Sequence, residues 1–318
     1  MEPWHLVEPA PEPWHPPAGG RYGRLGIRRG NYVAVCAPNP EEAAAFAVRH
    51  MGFHLVHVDD DNRHYLAGHG LDPYSLVYTE GEGPVDHISY AVDDLGALAM
   101  AEATLTEADV EFERIDESPL WRHRPAVRFR APTGATIELT PGVTVDIPMA
   151  ELMPQPPTVP APIAFDHAIL RTTDIGAMIE WAPKVLGLRE SGRIIAPDGI
   201  PILAFFRCET LFHCFGLARS EYDGMHHYEF TLKNDRALFA AFEILSADPE
   251  VEIVWAPVRH GCGQNIAFYF RDAVGNIVEF SAEEELILGE ETYEVQHWSV
   301  MNGRSTDEWG SHPPEGMT

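Results

Sequence analysis

The 318-residue sequence predicts an α+β protein built from tandem βαβββ modules that form two homologous domains of mixed sheet. The order of strand-like and helix-like segments is β-α-β-β-β twice in the first half, and the same order returns in the second half. A proline-rich stretch separates the halves. The predicted divisions are an N-terminal arm 1–24, a first domain 25–150, a linker 151–162, a second domain 163–288 and a C-terminal tail 289–318.

Regular patterns in the first half begin near Asn31, after an arm in which prolines exclude regular elements. A helix is predicted from Pro40, with two glutamates in its first turn, where acidic side chains stabilise the helix dipole. Predicted strands cover 32–37, 53–58, 64–67, 75–78, 87–92, 110–115, 126–130 and 135–140, and predicted helices cover 40–51 and 93–107.

The second half repeats the first in detail. Met51-Gly52-Phe53 matches Leu186-Gly187-Leu188 at an offset of 135, and the segment 134–138 matches 275–279 at an offset of 141. A repeat of this kind indicates two homologous domains. Predicted strands cover 163–171, 189–195, 202–207, 212–218, 227–232, 251–256, 266–271 and 277–281, and predicted helices cover 174–186 and 235–245.

Charge and composition exclude several classes of function. The net charge of −27, from 49 acidic and 22 basic residues, opposes binding to nucleic acid or to an anionic membrane surface. The four cysteines show no CxxC spacing, which argues against a zinc cluster or a disulfide framework. Without a signal pattern or a long apolar run, we expect a soluble cytoplasmic protein.

Three residues of the second half have the chemistry of metal ligands, namely His167, His227 and Glu279. Each lies on a predicted strand among apolar neighbours, where a carboxylate is costly unless a cation compensates it. A lone strand histidine is usually a hydrogen-bonded core residue, but two histidines and a carboxylate form the donor set of non-haem Fe(II) oxygenases. In the first half, Tyr32 stands where a histidine is expected beside His87 and Glu138, which predicts a degenerate, structural site.

The sequence resembles the two-domain type I extradiol ring-cleaving dioxygenases of the vicinal oxygen chelate superfamily over roughly residues 28–312. The metal-ligand segments FDHAIL, GMHHYEF and GNIVEF carry the resemblance together with LFHCFGLA, VRHGCGQN and IAFYF, which contain His213, His260 and Tyr269. The resemblance implies curved sheets, a site that binds Fe(II) or Mn(II), and a homodimer or homotetramer. It also implies that an aromatic diol and O2 react to a muconic semialdehyde in aromatic catabolism.

The resemblance also implies roles for the three further residues. Tyr269 would hydrogen-bond the deprotonated substrate oxygen, and His260 would position that oxygen and the ring. His213 would lie on the oxygen side, take the second phenolic proton and later return a proton. An imidazole suits both directions because it titrates near neutral pH. His226, the neighbour of His227, is expected on the opposite face of its strand and therefore not as a ligand.

The substrate pocket departs from that of homoprotocatechuate enzymes, in which arginines help to hold a carboxylate. Ser305 and Thr306 occupy the places of an arginine pair, with Arg304 only adjacent, while Ile169 replaces an asparagine and Trp255 another arginine. These departures favour an uncharged catechol. Candidate pocket residues are Phe205, Phe215, Trp255 and Arg304, although core packing explains the aromatic residues equally well.

Other functions of the same superfamily stay open at this point. One alternative is a glyoxalase-like isomerase, which would need no pair of His213 and Tyr269, or a keto-acid oxygenase. Another is a resistance protein that binds an aromatic drug, which would need no metal ligands. The tail 289–318, with Trp298 and Trp309, is similar to a C-terminal lid segment and is expected to form a lid or a subunit contact.

Overall fold

The computed structural model describes residues 25–117, 120–122, 124–147, 158–290, 292–315 and 317. The predicted arm 1–24 and linker residues 151–157 lie outside this part of the chain. None of the described helices is both long and apolar enough to cross a membrane.

The described part of the first half forms one mixed sheet with two helices against it. The sheet order is β2-β3-β4-β1-β5-β8-β7-β6, and β1 pairs in parallel with β4 and antiparallel with β5. The elements are β1 (Ile27–Ala37), α1 (Pro40–His50), β2 (His54–Val58), β3 (His64–Ala67), β4 (Leu76–Glu80), β5 (His87–Val92), α2 (Leu95–Glu107), β6 (Phe112–Ile115), β7 (Ala126–Arg130) and β8 (Thr136–Pro141).

The second half repeats this topology, as the sequence predicts. Its sheet order is β14-β15-β16-β13-β9-β12-β11-β10-β17, and β9 pairs in parallel with β12 and antiparallel with β13. The elements are β9 (Ala164–Thr172), α3 (Ile175–Trp181), β10 (Arg189–Ile195), β11 (Pro201–Arg207), β12 (Phe215–Arg219), β13 (Gly224–Thr231), α4 (Asp235–Ser246), β14 (Ile253–Arg259), β15 (Ile266–Arg271), β16 (Ile277–Ala282) and β17 (Gln296–Ser299).

Each α-helix starts at an Asp or Asn whose side chain accepts a hydrogen bond from a main-chain N–H of the first turn, which satisfies an otherwise unpaired donor. The four capping residues are Asn39, Asp94, Asp174 and Asn234. The helix predicted for 174–186 is only partly correct. Its α-helical part ends at Trp181, and a π-helical turn, Ala182–Leu186, follows. Pro183 lies in this turn and lacks the N–H that an α-helix would use.

Three departures from the predicted strands concern the surroundings of the site. Residues 212–214 leave the sheet, because Phe212 N–H donates to Glu285 O, 3.1 Å away, so that β12 begins only at Phe215. Strand β13 begins three residues earlier than predicted and contains a bulge between Met225 and His227. Strand β17 is unpredicted and extends the sheet by pairing in parallel with β10.

The two halves share one hydrophobic core. Phe53 and Phe230 meet edge to face across it, with ring centroids 4.9 Å apart. Next to them, Gly30 of β1 approaches the main chain of β9. A Cβ atom at this position would lie 2.6 Å from Asp166 O and 2.7 Å from Phe165 O. This close contact fixes the strand segment that precedes His167.

Gly30→Ala therefore tests the contact between the halves. The added methyl group has to displace main-chain atoms, and we expect the free energy of unfolding to fall by about 1–3 kcal/mol, the usual cost of overpacking. Urea denaturation followed by circular dichroism measures this change. Gly176→Ala, in the first turn of α3, is the matched control and should stay within about 0.5 kcal/mol of the parent. Equal stability of both variants would contradict the close approach of β1 and β9.

Candidate metal centre

The three predicted ligands lie on neighbouring strands of the second sheet. His167 is on β9, His227 on β13 and Glu279 on β16, in the order in which these strands pair. All three are buried, with exposed fractions of 1%, 6% and 2%. The three strands are otherwise apolar and are therefore buried on both faces of the sheet. The three polar side chains are buried with them.

The ligand atoms of these residues converge on one point. His167 Nε2 lies 3.4 Å from both His227 Nε2 and Glu279 Oε2, and His227 Nε2 lies 3.0 Å from Glu279 Oε2. Two ligand atoms at right angles on a metal, with bonds of about 2.0–2.1 Å, are about 3 Å apart. Since the observed spacings match this value, the three residues fit a divalent first-row metal with one face left open.

Charge at the centre also favours a cation. Burial alone would raise the pKa of the Glu279 carboxyl, but hydrogen bonds with His167 and His227 hold it well below its usual value, so Glu279 is an anion. Burial lowers the pKa of His167, yet hydrogen bonds with Asp166 and Glu279 raise it well above the usual value. A metal would therefore replace a proton on this imidazole.

A cavity of about 90 Å³ is lined by two of the three candidate ligands, His227 and Glu279. Tyr269 lies directly opposite Glu279 in the antiparallel pair of β15 and β16, which puts both side chains on the cavity face. His260 Nε2 lies 2.8 Å from Tyr269 Oη and 3.8 Å from Glu279 Oε1. The structure thus brings Tyr269 and His260 to the metal ligands.

His213 completes the predicted set. Its ring lies 4.0 Å from the ring of His167, centroid to centroid, and it lines the same cavity. Burial, and then the neighbouring His167, lower the pKa of His213 well below its usual value. Because residues 212–214 have left the sheet, the His213 side chain enters from the segment before β12 on the side of His167, whereas Tyr269 lies beside His227.

The candidate pocket residues divide into two groups. Phe205 and Trp255 line the cavity, and Trp255 stacks on Tyr269 with centroids 5.7 Å apart. Phe215 and Arg304 do not line it. Phe215 is fully buried in the main core against Phe206, because β12 turns this side chain away from the site. Arg304 has an exposed side chain, while its neighbours Ser305 and Thr306 line the cavity.

Several residues of the site escaped sequence analysis. Asn265 Nδ2 donates to Glu279 Oε1, 3.2 Å away, and so orients the carboxylate. Glu284 Oε1 lies 2.5 Å from His213 Nδ1 and also accepts from the His213 main-chain N–H. Glu284 belongs to an acidic run, 283–285, that resembles ordinary exposed sequence, so only the folded chain identifies it.

The expected orientation of His226 is wrong, although it is not one of the three grouped ligand residues. The bulge in β13 rotates two successive side chains to the same face, so His226 and His227 both line the cavity. His226 Nδ1 lies 2.6 Å from His227 Nδ1, and its Nε2 lies 2.7 Å from Met317 O. Burial, and then the neighbouring His227, lower the pKa of His226 to about 3.

The corresponding cluster of the first half has a different cation. Tyr32 Oη lies 2.8 Å from His87 Nε2 and donates to Glu138 Oε1, 2.6 Å away. Arg128 Nε donates to Glu138 Oε2, 2.8 Å away. A guanidinium therefore compensates the buried Glu138, as a metal would compensate Glu279. This contact supports the interpretation of a degenerate, structural site.

Comparison with known proteins agrees with this geometry. Residues 164–280 match the Glyoxalase/Bleomycin resistance protein/Dioxygenase superfamily. Metapyrocatechase of Pseudomonas sp. (strain CF600) is 26% identical over 263 residues, which cover 80% of this chain and 85% of that protein.

Solved structures show the same fold. The 2,3-dioxygenase LapB from Pseudomonas sp. KL28 is 24% identical, with a TM-score of 0.78 over 88% of this chain and 99% of LapB. Homoprotocatechuate 2,3-dioxygenase from Brevibacterium fuscum is 19% identical, with a TM-score of 0.83 over 95% of this chain and 94% of that chain. Residues 164–280 are thus a domain of the glyoxalase and dioxygenase superfamily. The chain is a homologue of metapyrocatechase and has the vicinal oxygen chelate fold.

Arg128→Leu tests the different cation of the first half. The substitution leaves Glu138 as an uncompensated buried charge, and we expect a loss of about 3–5 kcal/mol in the free energy of unfolding. Replacing both partners, in Arg128→Leu/Glu138→Leu, should recover most of this loss because no charge is then left unpaired. Chemical denaturation measures all three proteins. A double variant no more stable than the single variant would contradict the pairing.

Proposed function

We propose that this protein is an extradiol dioxygenase, which uses O2 to cleave the ring of a catechol-type diol beside its two hydroxyl groups. The reaction would take place at a divalent metal held by His167, His227 and Glu279. The observation that carries the proposal is the convergence of these three ligand atoms, 3.0–3.4 Å apart, next to a cavity lined by three proton-handling side chains. Fe(II) is the proposed metal, and Mn(II) would suit the same donors.

When bound, such a metal would hold the diol through its two oxygens, lower the pKa of its hydroxyl groups and keep O2 beside it. The protein supplies the proton chemistry. Burial and the charge of Glu279 raise the pKa of Tyr269 well above its usual value. Tyr269 therefore keeps its proton and is able to donate a hydrogen bond to a deprotonated substrate oxygen.

His260 holds the Tyr269 hydroxyl in place. Its Nδ1–H donates to Thr306 O, 2.7 Å away, so that a neutral ring turns the lone pair of Nε2 towards the Tyr269 hydroxyl. This contact fixes the position of the phenol, and its single proton would turn from His260 Nε2 to the substrate oxygen when that oxygen is bound beside both residues. Both residues thus hold one edge of the ring.

His213 is the proposed acid and base on the other side. Its Nδ1–H donates to Glu284, which leaves the lone pair of Nε2 free for the cavity. This nitrogen can accept the second phenolic proton. Burial raises the pKa of the Glu284 carboxyl well above its usual value, and a positive charge on the His213 ring would favour the ionised carboxylate. The same proton would then be available for return later in the reaction. A glyoxalase-like isomerase or a drug-binding protein would have no need of this pair opposite Tyr269 and His260.

The cavity lining favours an uncharged substrate. Among the described residues that line it, none is lysine or arginine. The lining includes Ile169, Trp255, Ser305 and Thr306, which replace the asparagine and the arginines expected from the family resemblance. Apolar side chains make up much of the remaining wall. A carboxylate on the substrate would lose its hydration here without gaining a cationic partner. We therefore propose an unsubstituted or apolar-substituted catechol. On the family resemblance alone, we also propose a homo-oligomeric protein.

Oxygen uptake by anaerobically purified, Fe(II)-loaded protein tests the proposal. We expect O2 consumption and a yellow ring-fission product with catechol, and at least about tenfold lower kcat/KM with 3,4-dihydroxyphenylacetate, because its carboxylate is desolvated without a cation. The His167→Ala variant should bind no metal and should be inactive. Metal binding without turnover of any diol would contradict ring cleavage and favour an isomerase or keto-acid oxygenase.

His213→Asn tests the proton transfer separately from metal binding. We expect the rate of ring cleavage to fall by about 10²–10⁴-fold, the usual cost of removing an acid or base, with metal content unchanged. Steady-state oxygen uptake and metal analysis of the same sample measure both quantities. His57→Asn, in the first half, is the control and should retain full activity. A His213→Asn variant that matches the parent would remove His213 from the mechanism.

A further inference from the structure

The ring of His226 occupies an unusual position beside the metal centre. It lines the cavity but is not a member of the group that could hold a metal, namely His167, His227 and Glu279. The rings of His226 and His227 lie 4.8 Å apart and meet at 74°, with their Nδ1 atoms 2.6 Å apart. A contact of this length between two nitrogens requires one proton between them.

The main-chain carbonyl of Met317 decides which nitrogen carries that proton. A carbonyl oxygen accepts only, so His226 donates to it from Nε2–H over 2.7 Å. A neutral ring that donates from Nε2 has its lone pair on Nδ1. His227 must then donate from its own Nδ1–H, which leaves the lone pair on its Nε2. That atom is the one that lies 3.0 Å from Glu279 Oε2, at the metal centre.

Other histidines of the cavity have a simpler arrangement. His213 Nδ1 faces a carboxylate oxygen of Glu284, and His260 Nδ1 faces the main-chain oxygen of Thr306. The Thr306 oxygen can only accept, and Glu284 Oε1 already accepts from the main-chain N–H of His213, so the tautomer of each ring is set directly. The partner of His227 is another imidazole, which could donate or accept. The direction of the hydrogen bond between His226 and His227 therefore depends on the group that His226 contacts through its other nitrogen, the Met317 carbonyl.

We propose that His226 is a positioning residue for the metal ligand His227, and that the Met317 carbonyl orients both rings through the hydrogen-bond chain Met317–His226–His227. The inference rests on the proposed function, because it assumes that His227 Nε2 binds a metal. It assigns the end of the C-terminal tail, which lines the cavity, a part in metal binding.

This hydrogen-bond chain has a direct consequence for metal affinity. Without the Met317 carbonyl, His226 is free to carry its proton on Nδ1 and to donate to His227. His227 would then carry a proton on Nε2, which has to be removed before a metal binds. Hydrogen-bond partners of metal-ligating histidines typically account for 10–100-fold in metal affinity. Displacement of the tail end would thus weaken the metal site from outside the ligand set.

Anaerobic titration of the apoprotein with Fe(II) or Co(II) tests the proposal without any activity assay. We expect His226→Leu to raise the metal Kd by about 10–100-fold, because His227 then lacks its acceptor. His226→Asn places an amide oxygen near the position of Nδ1, and it should stay within about threefold of the parent. His64→Leu removes a buried histidine of the first half and is the matched control, with an unchanged Kd. Circular dichroism verifies the folding of each variant.

A truncated chain that ends at residue 315 tests the part played by Met317. We expect a roughly tenfold higher Kd for the truncated parent. The same truncation should have little further effect in His226→Asn, since an amide at 226 does not use the Met317 carbonyl to set its direction.

Two outcomes would overturn the inference while leaving the proposed function intact. One is a His226→Leu variant that binds metal as tightly as the parent, and the other is an equal loss in His226→Leu and His226→Asn. If the parent itself binds no metal, the proposed function fails, and the inference fails with it.

Discussion

The structure depends on the compensation of one buried carboxylate. Glu279 lies between Val278 and Phe280 in a strand that is buried throughout, and among the described cavity-lining residues no lysine or arginine faces it. An isolated charge in such a place is strongly unfavourable. The three ligand atoms around this carboxylate are spaced as a divalent metal requires, so a metal explains why the charge is tolerated. In the first half, the negative charge of the equivalent Glu138 is compensated by the guanidinium of Arg128 and not by a metal.

A second constraint follows from the use of imidazoles around that carboxylate. A buried histidine offers a lone pair in a defined direction only if its other nitrogen has a fixed partner. In the cavity, these partners come from outside the strands that carry the ligands. Glu284 follows β16, and the Thr306 and Met317 carbonyls belong to the tail. The loops and the tail therefore set the tautomers of the site, while the sheet sets the positions of its ligands.

The candidate ligands and most of the fold can be predicted from the sequence, because both depend on local patterns of apolar and polar residues. Strands such as 266–271 follow from alternation and turns, and a polar residue among apolar ones, as at His167 or Glu279, reveals the functional face. The bulge at His226, the departure of residues 212–214 from the sheet and strand β17 depend on contacts with distant segments. No local pattern in the sequence predicts them. Glu284 escaped prediction for the same reason, since its neighbours in the acidic run give no sign that it is buried.

The coordination of the metal tests the central claim most directly. X-ray absorption spectroscopy on protein loaded with one equivalent of Fe(II) under anaerobic conditions reports the atoms bound to the metal. The structure predicts a first shell of nitrogen and oxygen only, with the multiple-scattering pattern of two imidazoles, from His167 and His227. A spectrum without imidazole scattering, or with a sulfur ligand such as Cys262, would contradict a metal centre built on Glu279.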